Sequence, residues 1–141
     1  MSSTPFLTSG TIVVGVDTSP ESITALKWAA QLASRTGAHL VAVHAEGLLE
    51  EGDYVPRVDV AALVASTLAG TDSLTNLDAV IEPGPPCDTL IRAARRTGSR
   101  HIVVGHRGIG DTKSDIGSTA LLLVSRSTVP VTVVRAFDPT W

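Results

Sequence analysis

Five short runs of aliphatic, mostly β-branched residues punctuate this chain: TIVVGV (11–16), AHLVAVHA (38–45), DAVIE (78–82), RHIVVG (100–105) and VPVTVVR (129–135). A strand with one wet face alternates polar and apolar positions, and these runs do not. Both faces of each must therefore be covered, which is the condition of a parallel sheet. Segments of helical period fill the gaps between them. In the first gap Ser19 is placed to cap a helix and Pro20 suits its first position. Ile23, Leu26, Ala30 and Ala33 then fall on one face, and Gly37 ends the helix. DVAALVASTLAG (59–70) reads as the second helix and PGPP as a turn. CDTLIRAARRTG (87–98) is the third, with Leu90, Ile91 and Ala94 inward and Arg92, Arg95 and Arg96 outward; GSTALLLVSRST (117–128) is the fourth. The alternation predicts an α/β fold, a doubly wound, open, parallel five-stranded sheet with helices on both faces, for which we take the strand order 3-2-1-4-5.

A chain of 141 residues that is 43% hydrophobic has material for one core and not for two. We expect a disordered N-terminal segment over 1–10, one domain over 11–135 and a tail over 136–141. A formal net charge of −3 supplies no basic field, so neither nucleic acid nor a membrane surface is an expected partner. The start, MSSTPFLTSG, has neither the basic residues nor the apolar run of a signal peptide, which makes the cytoplasm the expected location. One cysteine, Cys87, excludes an intrachain disulfide. It falls in the first turn of a helix, where the dipole favours a thiolate, but a single small cysteine is more often inert packing. His39, His44, His101 and His106 have no metal-ligand spacing, so no metal site is expected. The cluster Arg92, Arg95, Arg96 and Arg100 is read as a solvated helix face.

In a doubly wound sheet ligands bind beyond the carboxyl ends of the strands, where the strand order reverses. Here that point lies between strand one, ending Gly15-Val16-Asp17, and strand four, ending Gly105 and running into HRGIGDTKSDIGSTA. Glycines in such a loop permit positive φ and close approach of backbone N–H groups to an anion. The loop ends at Gly117-Ser118-Thr119, where a helix N-terminus adds free donors and two hydroxyls. Each residue also has a plainer reading: Asp17 as a strand terminator that caps the next turn, Ser118 and Thr119 as helix caps. The common phosphate motifs fail. Asp111 stands where a Walker loop needs lysine, and Gly105, Gly108 and Gly110 reverse the spacing of the dinucleotide fingerprint.

IVVGVDTSPES, EPGPPCDTLIRAA, HIVVGHRG and GSTALLLVSRSTVPVTVV, in that order, resemble a universal stress protein over residues 11–135. The nucleotide-binding branch of that family carries G-x2-G-x9-G-[S/T]. Gly105, Gly108, Gly117 and Ser118 match its anchors, but eight residues separate Gly108 from Gly117, one fewer than the pattern. The resemblance implies ATP as the ligand. Asp17 and Val43 would lie at the adenine end, Gly15 would give clearance, and Gly105, Arg107, Gly108, Gly117, Ser118 and Thr119 would line the ribose and phosphates. Asp111 and Asp115 would face the phosphates and call for Mg²⁺ between them. It also implies a homodimer through the final strand, Val129 to Arg135, whose apolar edge carries no charge from Val131 to Val134. With no lysine in register and only Asp115 or His106 as a base, slow hydrolysis is the most expected, and no catalytic residue is assigned. The function implied is an ATP-binding regulatory stress-response module; the alternative is a dimeric interaction protein of the same fold that binds no nucleotide.

Overall fold

A computed structural model describes residues 10–46, 58–70, 76–107 and 116–136 of the chain. Chain order is β1 (Thr11–Gly15), α1 (Pro20–Thr36), β2 (His39–Glu46), α2 (Val60–Thr67), β3 (Leu77–Pro83), α3 (Pro86–Thr97), β4 (His101–Gly105), α4 (Ser118–Arg126) and β5 (Val131–Val134). The strands form one sheet of order β3-β2-β1-β4-β5, and every neighbouring pair is parallel. The expected architecture is therefore the observed one. β3 is longer than the run DAVIE, because Leu77 and Pro83 also pair with β2. Residues 1–9 and 137–141, within the expected terminal segments, lie outside the described residues.

The absence of alternation in the strands has its expected cause. Ile12 and Val14 of β1, Leu40 and Ala42 of β2 and Val103 of β4 face α1 and α2. Val13, Val41, Val43, Ile102 and Val104 face α3 and α4. Leu26, Leu40, Ile102 and Leu123 are completely buried, each contributing about 2 kcal/mol over an exposed side chain.

The helix ends follow the sequence signals. Ser19 caps α1, its Oγ accepting the Ser22 N–H at 3.2 Å. Gly37 ends α1 at φ 75°, a conformation that residues with a Cβ rarely adopt, and Gly98 ends α3 at φ 66°. The inner face of α1 departs from expectation. It is Ala25, Leu26, Ala29, Ala30 and Ala33 that are buried, together with Ser22, while Ile23 is only half-buried. Small side chains let the helix lie close to the sheet, and hydrophobicity alone does not report that. In α3, Leu90 and Ala94 are buried as expected, Ile91 is half-buried, and the arginines are exposed.

Candidate functional site

The crevice begins where two strands part. The β1–β4 register runs from Ile12–His101 to Val14–Val103, whereas β1 stays paired with β2 through Gly15–Val43 and β4 with β5 through Gly105–Val134. Between the diverging ends lies a cleft of about 140 Å³. Gly15, Asp17, Val43, Gly105, Arg107, Gly117 and Thr119 all line it. Seven of the nine expected residues thus converge. Gly108 lies outside the described residues, as do Asp111 and Asp115. Ser118 is exposed and not part of the lining, because one step along a helix turns a side chain by about 100° and points Thr119 inward instead.

The two ends of the glycine loop are joined at their base. Gly117 N–H donates to His106 O at 2.7 Å, and His106 N–H donates to Val134 O at 2.7 Å, so the exit from β4 and the entry to α4 are fixed against β5. Gly117 is the N-cap of α4 and makes no side-chain capping bond, and the helix begins at Ser118. Ser118 and Thr119 are therefore first-turn residues and not caps. Gly117 lies at φ −65°, and neither Gly15 nor Gly105 has positive φ. At Gly15 and Gly105 glycine answers to space and not to backbone conformation.

That space belongs to the packing of the fold. A Cβ on Gly105 would lie 2.8 Å from the Glu21 carbonyl carbon and 2.9 Å from Ser22 N, so glycine there lets the first turn of α1 press against the end of β4. A Cβ on Gly15 would lie 2.9 Å from Leu90 Cδ1. The clearance expected at Gly15 for a ligand is taken up by α3.

Asp17 fulfils its plainer reading while also facing the cleft. Its Oδ1 accepts the Ser19 N–H at 2.7 Å, and its own N–H donates to Ser22 Oγ at 2.7 Å. Arg107 does not stand alone: its guanidinium meets Glu21 Oε1 at 3.0 Å, and its Nε is buried without a hydrogen-bond partner. Pro86 and Leu90 of α3, Ser22 of α1 and His44 of β2 complete much of the lining and were not foreseen. The α3 contribution was implicit in the strand order, since a helix joining β3 to β4 must cross β2 and β1 and start beside their carboxyl ends. His44 donates Nδ1–H to Val16 O at 2.8 Å, since a carbonyl only accepts.

The remaining candidates fall away from the cleft. Cys87 is buried, and burial pushes its thiol above the ordinary value, with Arg126 opposing and Asp88 reinforcing the shift; it is packing, not a reactive group. His39 pairs with Asp78 at 2.7 Å, and His101 Nε2 lies 2.6 Å from Thr132 Oγ1. Among the described residues no group of three His, Cys, Asp or Glu side chains is placed to hold a metal ion, and no helix is long and apolar enough to cross a membrane.

Comparison with known proteins decides the family. The sequence profile described as Universal stress protein family matches residues 8–135. The chain belongs to the universal stress protein family. A curated universal stress protein of Mycolicibacterium smegmatis is 31% identical to it, over 90% of this chain and 48% of the relative. The chain thus spans about half the length of that relative. Among solved structures, UspA of Lactobacillus plantarum is 25% identical with a TM-score of 0.69, covering 91% of this chain and 99% of the other. A universal stress protein in complex with cAMP shares the fold at 22% identity and a TM-score of 0.72, over 91% of this chain and 98% of that one. So does an Arabidopsis thaliana family member with AMP bound, at 16% identity and a TM-score of 0.62, over 92% of this chain and 93% of that one.

Proposed function

We propose that the cleft between β1 and β4 binds an adenine nucleotide, ATP being the ligand that the sequence resemblance implies, and that the chain acts as a cytoplasmic regulatory module in a stress response. The observation that carries the reading is the convergence at one crevice of Asp17, Arg107 and the N-terminus of α4. Fit is supported from the protein's own side. The buried Arg107 Nε is a donor without an acceptor, and α4 starts with no side-chain cap, so the sugar has a donor to meet at Arg107 and an anionic group has main-chain donors at α4. Val43 supplies an apolar wall and Asp17 an acceptor for an exocyclic amine. The complexes with cAMP and AMP in proteins of this fold support the same ligand class. The lining offers no lysine and no metal cluster among the described residues, which favours binding over efficient phosphoryl transfer. Calorimetric titration of the chain with ATP and with adenosine tests the reading. Saturable binding of both supports it; binding of neither leaves the alternative, a ligand-free interaction protein.

We also propose a homodimer through Val129 to Arg135. β5 is the sheet edge, and Val131 to Val134 are all half-buried. Ile102 N–H donates to Pro130 O and His106 N–H to Val134 O, so by alternation the N–H and C=O groups of Val131 and Val133 point to the open side. On α4, Leu121 is 52% and Val124 59% exposed. An apolar edge of this kind pairs readily with a second copy. Val133→Pro removes an outward donor without touching the β4 ladder, and light scattering should find it monomeric and folded. A dimeric variant would place the interface elsewhere.

A further inference from the structure

The ion pair between Arg107, which lines the proposed site, and Glu21, which does not, bears on what that site can distinguish. Among the described residues Arg107 is the one arginine or lysine that lines the cleft. Its partner comes from the first turn of α1, and both side chains are largely withdrawn from water, 27% and 12% exposed. The pair is built into the fold, because the missing Cβ of Gly105 is what lets Glu21 come so close: a Cβ there would lie 3.0 Å from that of Glu21. An arginine so matched contributes donors and a shape but almost no net charge.

We propose that Glu21 is a specificity-determining residue: by neutralising Arg107 it keeps the cleft from rewarding each added phosphate, so that the number of phosphates on the nucleotide is read by the main-chain donors at the start of α4 and not by the arginine's charge. The inference rests on the nucleotide-binding reading above. Glu21 acts through Arg107 and touches no ligand itself. The pair adds zero charge in the parent, one positive charge without the carboxylate and one negative charge without the guanidinium.

The test is the ratio of ATP affinity to adenosine affinity, measured by calorimetry on the chain without added divalent cation. A ratio divides out any hydrogen bond that Arg107 gives to the sugar. A unit charge beside a partly screened polyphosphate changes affinity by about tenfold. The ratio should rise about tenfold in Glu21→Gln, fall about tenfold in Arg107→Gln, and return to within about threefold of the parent when both changes are combined. Raising the salt concentration should shrink the spread. An arginine that contacts the phosphates directly, with Glu21 only holding the fold, predicts otherwise: the combined variant would track Arg107→Gln, and that result overturns the proposal. Should Glu21→Gln not fold, Arg107→Lys takes its place, retaining the parent ratio if charge decides and losing it if the guanidinium fork does. A parent chain that binds neither ATP nor adenosine would overturn the nucleotide reading and this inference with it, and one that binds ATP alone would overturn the inference. Adenosine binding with an unchanged ratio in Glu21→Gln overturns the inference alone.

Discussion

The β1–β4 pair is closed at one end and open at the other. At the foot, buried Ser99 places its Oγ 2.7 Å from Thr11 O and 2.8 Å from His101 O and accepts the His101 N–H at 3.2 Å, so one hydroxyl ties the starts of both strands together. At the top the two strands part after Val14 and Val103, and each ends in Val-Val-Gly. The difference teaches where this fold keeps stability and where it keeps room. Side chains bridge backbones at the foot, and their removal from the top leaves a crevice that α1, α3 and α4 enclose.

The largest effect should come from closing that room at its tightest point. Gly105→Ala forces a Cβ to within 2.8 Å of the backbone of α1, which cannot move as a side-chain tip can. Overpacking of this kind costs about 2–3 kcal/mol. Because the first turn of α1 carries Glu21 and Ser22 and follows Asp17, the same displacement should abolish nucleotide binding. Chemical denaturation and calorimetry measure the two effects, and a variant of parent stability would show that the first turn of α1 yields.

At the foot, Ser99→Ala should cost about 1–2 kcal/mol, since it removes the hydrogen bonds that a buried hydroxyl makes to the backbone at the starts of both strands. Affinity for adenosine should not change. That contrast is what separates the two ends; a Ser99→Ala variant with weakened binding would mean that the foot and the cleft are coupled through the strands.

Gly15→Ala should be milder than Gly105→Ala although the two glycines end the same tripeptide. Its Cβ would meet Leu90 Cδ1 at 2.9 Å, the far end of a flexible side chain, and about 1 kcal/mol is expected. Combined with Leu90→Ala, the loss should be smaller than the sum of the two single losses, because the contact that causes the strain is gone. Strict additivity in denaturation melts would place the strain in the strand and not in α3.

These residues also mark how far the sequence could be read. Strand positions and the helix stops at Gly37 and Gly98 were legible because each rests on local chemistry, unbroken Val and Ile runs, proline and serine at a helix start and glycine at its end, whereas the sheet order came from the fold class. The crevice followed from the order, Asp17 and Thr119 followed from the crevice, and Val43 and Arg107 came from the family resemblance. The reason for each cleft glycine was not legible, since a close approach depends on which helix arrives overhead. Nor was the Glu21–Arg107 pair, whose members are 86 residues apart. Ser118 against Thr119 turns on the phase of one helix, which sequence fixes only to within a residue or two.

The smallest effect tests the foot by pH. His101, the first residue of β4, holds Thr132 Oγ1 at 2.6 Å and meets the edge of Trp28 with ring centroids 6.0 Å apart. Burial lowers its pKa below the ordinary 6.5, because the charged ring loses water that nothing nearby replaces in kind. The unfolded chain then binds the proton more tightly than the folded one, so stability from this group is present above 6.5 and is lost as pH falls through that value towards the lowered folded one. His101→Gln keeps an amide for Thr132 and does not titrate. Its melts should lose less stability than the parent's between about pH 7 and pH 5. Other groups titrate in the same range, so the difference between the two proteins carries the information and neither curve does alone. Adenosine affinity should depend on pH in the same way for both, because His101 does not line the cleft. A His101→Gln chain with the parent's pH dependence of stability would remove this histidine from the account, and a divergence in affinity would join the foot of the sheet to its open end.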